Sequence, residues 1–117
     1  MKFVILKHIT DSVHYDVMFE RGSCLKTFTV HQIPNGKGVF EAEERFDHPL
    51  RFLEYEGLLN SAPGRVERWD SGEYSETRWD EVLIEMDCRG EKWNCFVTLE
   101  KVGDKKWLLK KLNRKRP

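Results

Sequence analysis

Lys7-His8-Ile9-Thr10-Asp11-Ser12-Val13-His14-Tyr15-Asp16-Val17-Met18-Phe19-Glu20 is the stretch whose periodicity decides the fold. From Ser12 onward its side chains sort two by two: Val13, Tyr15, Val17 and Phe19 on one side, His14, Asp16, Met18 and Glu20 on the other. A period of two is a strand. On a strand His14 and Asp16 point the same way, so an imidazole nitrogen and a carboxylate oxygen can converge on one ion. His8 must then arrive from the preceding segment across a turn built by Thr10-Asp11-Ser12, which suits a hairpin and is awkward on a single helix. The spacing His-x5-His-x-Asp offers neutral imidazole and carboxylate, a donor set that suits Zn, Mn, Fe or Ni without choosing among them. Exposed strand histidines are the plain alternative.

Working outward, a chain of 117 residues predicts one domain with one core. We expect a barrel over residues 1–112 and a basic tail over 113–117. Lys plus Arg and Asp plus Glu are 20 each, for a net charge of zero, which excludes a whole-molecule basic field for capturing nucleic acid. Local asymmetry remains, with Glu41, Glu43, Glu44 and Asp47 in the middle and Lys110, Lys111, Arg114, Lys115 and Arg116 near the end. The apolar run Phe3-Val4-Ile5-Leu6 is too short for a signal-peptide core, and nothing later approaches a membrane-spanning length. Cys24, Cys88 and Cys95 are odd in number and include no C-x-x-C, as expected of reduced thiols. These features predict a cytoplasmic protein with no membrane partner.

Turn signals recur at short intervals, among them Arg21-Gly22-Ser23, Pro34-Asn35-Gly36, Pro63-Gly64, Asp70-Ser71-Gly72-Glu73, Arg89-Gly90 and Gly103-Asp104. Between them lie strand-length runs at 3–7, 13–20, 24–31, 39–46, 65–69, 73–79, 82–87, 93–101 and 106–111, with at most a short helical turn within 50–59. That spacing predicts an all-β antiparallel barrel or sandwich. Trp69, Trp79, Trp93 and Trp107 read as core or barrel-end plugs. Asp47-His48-Pro49-Leu50 places His48 in a loop whose backbone the proline restricts.

Several separated pieces together resemble one family, the 3′-phosphoesterase domain found with bacterial DNA ligase D. Lys7-His8 and Val13-His14-Tyr15-Asp16-Val17-Met18-Phe19-Glu20 follow its K-H and L-H-Y-D-F-R-L-E signature. Phe46-Asp47-His48-Pro49-Leu50-Arg51-Phe52 echoes E-D-H-P-L-D-Y, Trp69-Asp70-Ser71-Gly72 meets W-D-x-G, and Trp107-Leu108-Leu109-Lys110-Lys111 meets W-L-L-I-K. The resemblance implies a small β-barrel, a divalent metal (manganese first, zinc or another transition metal as alternatives) and the removal of 3′-terminal ribonucleosides and phosphates from DNA ends. It puts the metal ligands on His8, His14 and Asp16 and a phosphate-contacting, catalytic histidine on His48.

The departures are equally specific. The arginine expected two residues after the metal aspartate is Met18, the tyrosine four after the loop histidine is Phe52, the lysine of a P-K-G segment falls near Gln32, and the glutamate before Asp47 is Phe46. Losing one charge-stabilising donor typically costs about 3–4 kcal/mol of transition-state stabilisation. Arg51 and Lys26 are the candidate substitute cations for substrate binding. Two functions are therefore expected to compete. One is a metal-dependent phosphoesterase acting on DNA or RNA–DNA 3′ ends. The other is a catalytically degenerate relative that binds metal or nucleic-acid ends without turnover. In both, the two imidazoles and the carboxylate are expected to meet at one cation inside a closed β scaffold.

Overall fold

A computed structural model describes residues 1–36 and 38–113. Arg114, Lys115 and Arg116 of the expected tail lie outside the described residues. Among those described, the β-branched and aromatic runs form β1 (Lys2–Ile9), β2 (Val13–Arg21), β3 (Cys24–Val30), β4 (Gly38–Pro49), β5 (Gly57–Leu58), β6 (Arg65–Trp79), β7 (Leu83–Gly90), β8 (Asn94–Gly103) and β9 (Lys106–Leu112), with a 3-10 turn at Leu50–Leu53. The strands pair antiparallel in the order β1-β2-β3-β4-β9-β8-β7-β6, and β6 returns to β1. The result is a closed eight-stranded antiparallel barrel, the all-β architecture expected. β5 pairs with the start of β6, across from the stretch of β1 that meets the same residues. Closure pairs the strand edges that would otherwise invite association.

Alternation sends every second residue indoors. Phe3 and Ile5 of β1, Tyr15, Val17 and Phe19 of β2, and Phe28 and Val30 of β3 meet Leu99, Trp107 and Leu109 from the far wall in one buried cluster. An eight-stranded barrel is just wide enough for its own side chains to fill it. Trp93 is fully buried there, and its indole N–H donates to the Pro34 carbonyl at 2.7 Å. Trp107 is buried too and donates to Glu44 at 2.9 Å, while Trp69 and Trp79 pack partly buried against the same cluster. Cys88 and Cys95 stand opposite each other in the β7–β8 ladder, both buried.

One sequence expectation is corrected here. The two strands at 65–69 and 73–79 are a single strand, β6, and Asp70-Ser71-Gly72-Glu73 is no turn. The small and polar residues serve a close approach instead. A Cβ on Gly72 would lie 2.2 Å from the Arg89 carbonyl oxygen, so only glycine lets β6 sit this close to β7. The buried Asp70 carboxylate accepts backbone N–H bonds from Glu91, Lys92 and Trp93 at 3.2, 3.1 and 2.7 Å, pinning the β7–β8 turn.

The outward alternates of β1 to β3 are not all wet. Val4, Leu6, Met18 and Leu25 join Val66 and Phe52 in a second buried cluster, with Leu50, Leu53, Tyr55 and Leu59 packed against it. Residues 50–64 thus form a roof over the outer face of the β1–β3 wall. Arg68 N–H of β6 donates to Glu56 at 2.9 Å and ties the roof down, and Leu59 N–H donates to the Gly64 carbonyl at 3.1 Å within it.

Candidate metal centre

The β1–β2 hairpin register places His8 directly opposite His14, with Leu6 opposite Asp16 and Val4 opposite Met18. His8, His14 and Asp16 therefore share the outer face. Their donor atoms all lie within 4.8 Å of one another. His8 Nδ1 is 3.1 Å from His14 Nε2, which is 3.4 Å from Asp16 Oδ1. Histidine nitrogens and carboxylate oxygens bind zinc at about 2.0–2.2 Å, so two donors on one such ion stand at most about 4.4 Å apart. The set needs no more than a few tenths of an ångström of closure to hold a first-row cation. The cluster lies against the outside of the wall and beneath the roof. This corrects the expectation of a cation inside the barrel, where aromatic and aliphatic side chains already fill the space.

Neighbouring groups orient each donor. His8 Nε2 donates to the Pro63 carbonyl at 2.9 Å, which leaves Nδ1 as the basic nitrogen turned towards His14. Gly64 makes that possible: its φ is +89°, and a Cβ there would lie 2.2 Å from the Ile9 carbonyl oxygen. The buried Thr29 hydroxyl donates to Asp16 Oδ1 at 2.7 Å, and Arg45 Nε donates in turn to Thr29 Oγ1 at 3.3 Å. Burial alone pushes the Asp16 carboxyl up. The hydrogen bonds from His14 and Thr29, with the fields of His14 and His48, outweigh it and hold the group below the ordinary carboxylate value. Such outer partners fix ligand geometry in known metal sites.

His48 reaches the same cavity, of about 370 Å³, by a route the sequence did not show. It sits on β4 opposite Leu25 and not in a loop, while Arg45 is opposite Thr27. Two steps along β3 thus match three along β4, which is a β-bulge at Phe46 and Asp47. Three residues apart in a regular strand, Arg45 and His48 would face opposite ways; the bulge absorbs the extra residue, and both line the cavity. His48 Nδ1 lies 3.0 Å from the Phe46 carbonyl and 3.0 Å from Thr27 Oγ1, whose own proton goes to the Leu25 carbonyl at 3.1 Å. Both partners accept, so Nδ1 carries the proton and Nε2 is the basic nitrogen.

The candidate cations separate. Arg51 lines the cavity, with its guanidinium carbon 4.9 Å from the Phe52 ring centroid. Lys26 does not reach it. Its alternate neighbours Leu25 and Thr27 face the roof side, so Lys26 turns the other way, pairs with Asp47 at 3.2 Å and lines a separate cavity of about 460 Å³ at the barrel mouth with Trp79 and Trp107. Arg45 is the cavity cation missed in the sequence, because no motif marks it and only the bulge aims it. Gln32 lies in neither cavity; it is exposed beside His31. Met18 and Phe52 belong to the one buried cluster under the roof, so two polar-to-apolar departures share a single packing site.

Fold and site together define a small closed antiparallel barrel with a His-His-Asp cluster on its outer wall and an imidazole and two guanidinium groups in the same cavity. Residues 6–110 match the DNA ligase D 3′-phosphoesterase domain, and the chain belongs to that family. It is 32% identical over 127 aligned positions to the multifunctional non-homologous end joining protein LigD of Mycolicibacterium smegmatis, an alignment that covers 92% of this chain and 16% of that protein. The chain therefore spans about one sixth of that relative's length. No helix among the described residues is long and apolar enough to cross a membrane.

Proposed function

We propose that this chain is a divalent-metal-dependent phosphoesterase acting on the 3′ ends of DNA, removing a terminal phosphate or ribonucleotide. The observation that carries this reading is the convergence of His8 Nδ1, His14 Nε2 and the Asp16 carboxylate within 4.8 Å, in a cavity also lined by His48, Arg45 and Arg51. Manganese is our choice of ion, by family membership. When bound, it supplies a Lewis acid for a phosphoryl oxygen. Arg51 presents forked N–H donors to the non-bridging oxygens, and Arg45, whose Nη1 pairs with Glu43 at 3.0 Å and whose Nε donates to Thr29, adds its remaining N–H groups. His48, with its Nδ1 proton held by the Phe46 carbonyl, takes the attacking water's proton on Nε2 and passes it to the leaving oxygen as the ester P–O bond breaks.

The test is hydrolysis of oligonucleotides ending in 3′-phosphate or a 3′-ribonucleotide, with Mn²⁺, wild type against His14→Ala. Turnover well above that control is expected. Equal background in both would end the enzymatic reading. Elemental analysis of the purified protein identifies the metal. A second reading is favoured by Met18 and Phe52 lying buried where the family has donors: a binder of metal and nucleic-acid ends that no longer turns over. It predicts metal uptake and salt-sensitive DNA binding with no product.

A further inference from the structure

Phe46 is 78% exposed, more than any other large apolar side chain among the described residues. Its sequence neighbours Arg45 and Asp47 are exposed and charged, so the ring does not extend an apolar patch of the kind that docks a protein. It stands alone, and it is oriented. The phenyl plane lies 7° from that of His48, with centroids 5.0 Å apart. His48 is itself met edge-on by Phe52 at 5.8 Å, which in turn belongs to the buried cluster under the roof. The three rings form a short ladder from the apolar packing to the cavity rim. One face of Phe46 is spent on the imidazole, and at this exposure the opposite face is bare. The bulge in β4 sets the ring here, on a cavity shared with Arg45 and Arg51.

A bare π face beside two guanidinium groups matches a flat heterocycle joined to a phosphate, because stacking tolerates any base while the cations take the anion. The geometry points to Phe46 as the stacking platform for the terminal base of a nucleic-acid 3′ end, so that the end is held by its base as well as its phosphate. This rests on the reading of the cavity as a site for a 3′-terminal phosphate ester. No feature of the family signature supplies such a ring: the corresponding residue there is a glutamate.

The experiment uses the full chain with Mn²⁺ and 5′-fluorescent oligonucleotides ending in a 3′-methylenephosphonate, whose C–P bond resists hydrolysis. One oligonucleotide carries adenine on its last nucleotide and the other is abasic there. Fluorescence anisotropy should show the base-bearing end bound about five- to 150-fold more tightly. Phe46→Ala should bring the ratio close to one by weakening the base-bearing end alone, and Phe46→Trp should restore it. Equal wild-type affinity for the two ends overturns the platform and leaves the phosphoesterase reading standing. So does a Phe46→Ala loss that is the same for both, since the ring would then act only by holding His48. Failure of the wild type to bind either end overturns the reading of the cavity, and the platform with it.

Discussion

The barrel interior and the roofed outer face of β1 to β3 are made of the same strands and differ in what each can tolerate. Indoors, Phe19, Trp93, Leu99 and Leu109 fill a closed space, and the polar atoms that enter it are matched, as the Trp93 indole is by Pro34. Outdoors, an apolar cluster of six residues sits beside His8, His14, Asp16 and His48, under a cover made of loop and one 3-10 turn. The contrast teaches that stability and chemistry are assigned to opposite faces of a single pleat. A substitution one position along β2 moves from one account to the other.

Four experiments test that separation, in order of expected effect. Trp93→Ala should lower unfolding stability by about 3–5 kcal/mol in denaturant titration, with the Mn²⁺ affinity of the folded fraction unchanged. A parallel loss of affinity would show that the faces are coupled. Asp16→Ala should show the opposite balance, weakening Mn²⁺ binding more than about 100-fold, beyond the range of supporting partners, while costing the metal-free fold less stability than Trp93→Ala does. Calorimetry measures both.

The third test uses pH. Burial pushes the Tyr74 phenol up to about 12, against the opposing pull of the Arg21 guanidinium. Its hydroxyl donates to the Glu20 carbonyl, which favours the neutral form. An unfolded tyrosine ionises near pH 10, so the contribution is complete below pH 10 and is lost as pH rises towards 12, by up to about 3 kcal/mol. The stability of wild type relative to Tyr74→Phe should fall across that window; a flat difference would place the phenol in a wetter setting. The smallest effect is expected for Thr29→Val, which removes the donor to Asp16 and should weaken Mn²⁺ binding about tenfold. No change would mean that the carboxylate holds its geometry without the hydroxyl.

Much of this was legible in the residues. The alternation from Val13 to Glu20 specified both a strand and its two faces, and the Thr10-Asp11-Ser12 turn implied the hairpin that sets His8 opposite His14. What escaped is what depends on a partner strand. Asp70-Ser71-Gly72 has the composition of a turn, and only the nearness of the Arg89 carbonyl explains the glycine. Lys26 was read as a cavity cation, although its parity on β3 already turned it away from Thr27 and Thr29. Arg45 could not be placed without the ladder, because strict alternation separates residues three apart.

The bulge in β4 also leaves this strand one residue of freedom in length. A chain one residue shorter between Arg45 and His48 would still close its barrel, with an uninterrupted ladder to β3. Arg45 and the imidazole would then stand two positions apart and keep the same face, opposite Thr27 and Leu25. Loss of a single codon at Phe46 or Asp47 should therefore spare the aim of the imidazole, whereas the same loss at Tyr15 would set His14 and Asp16 on opposite faces and break the cluster.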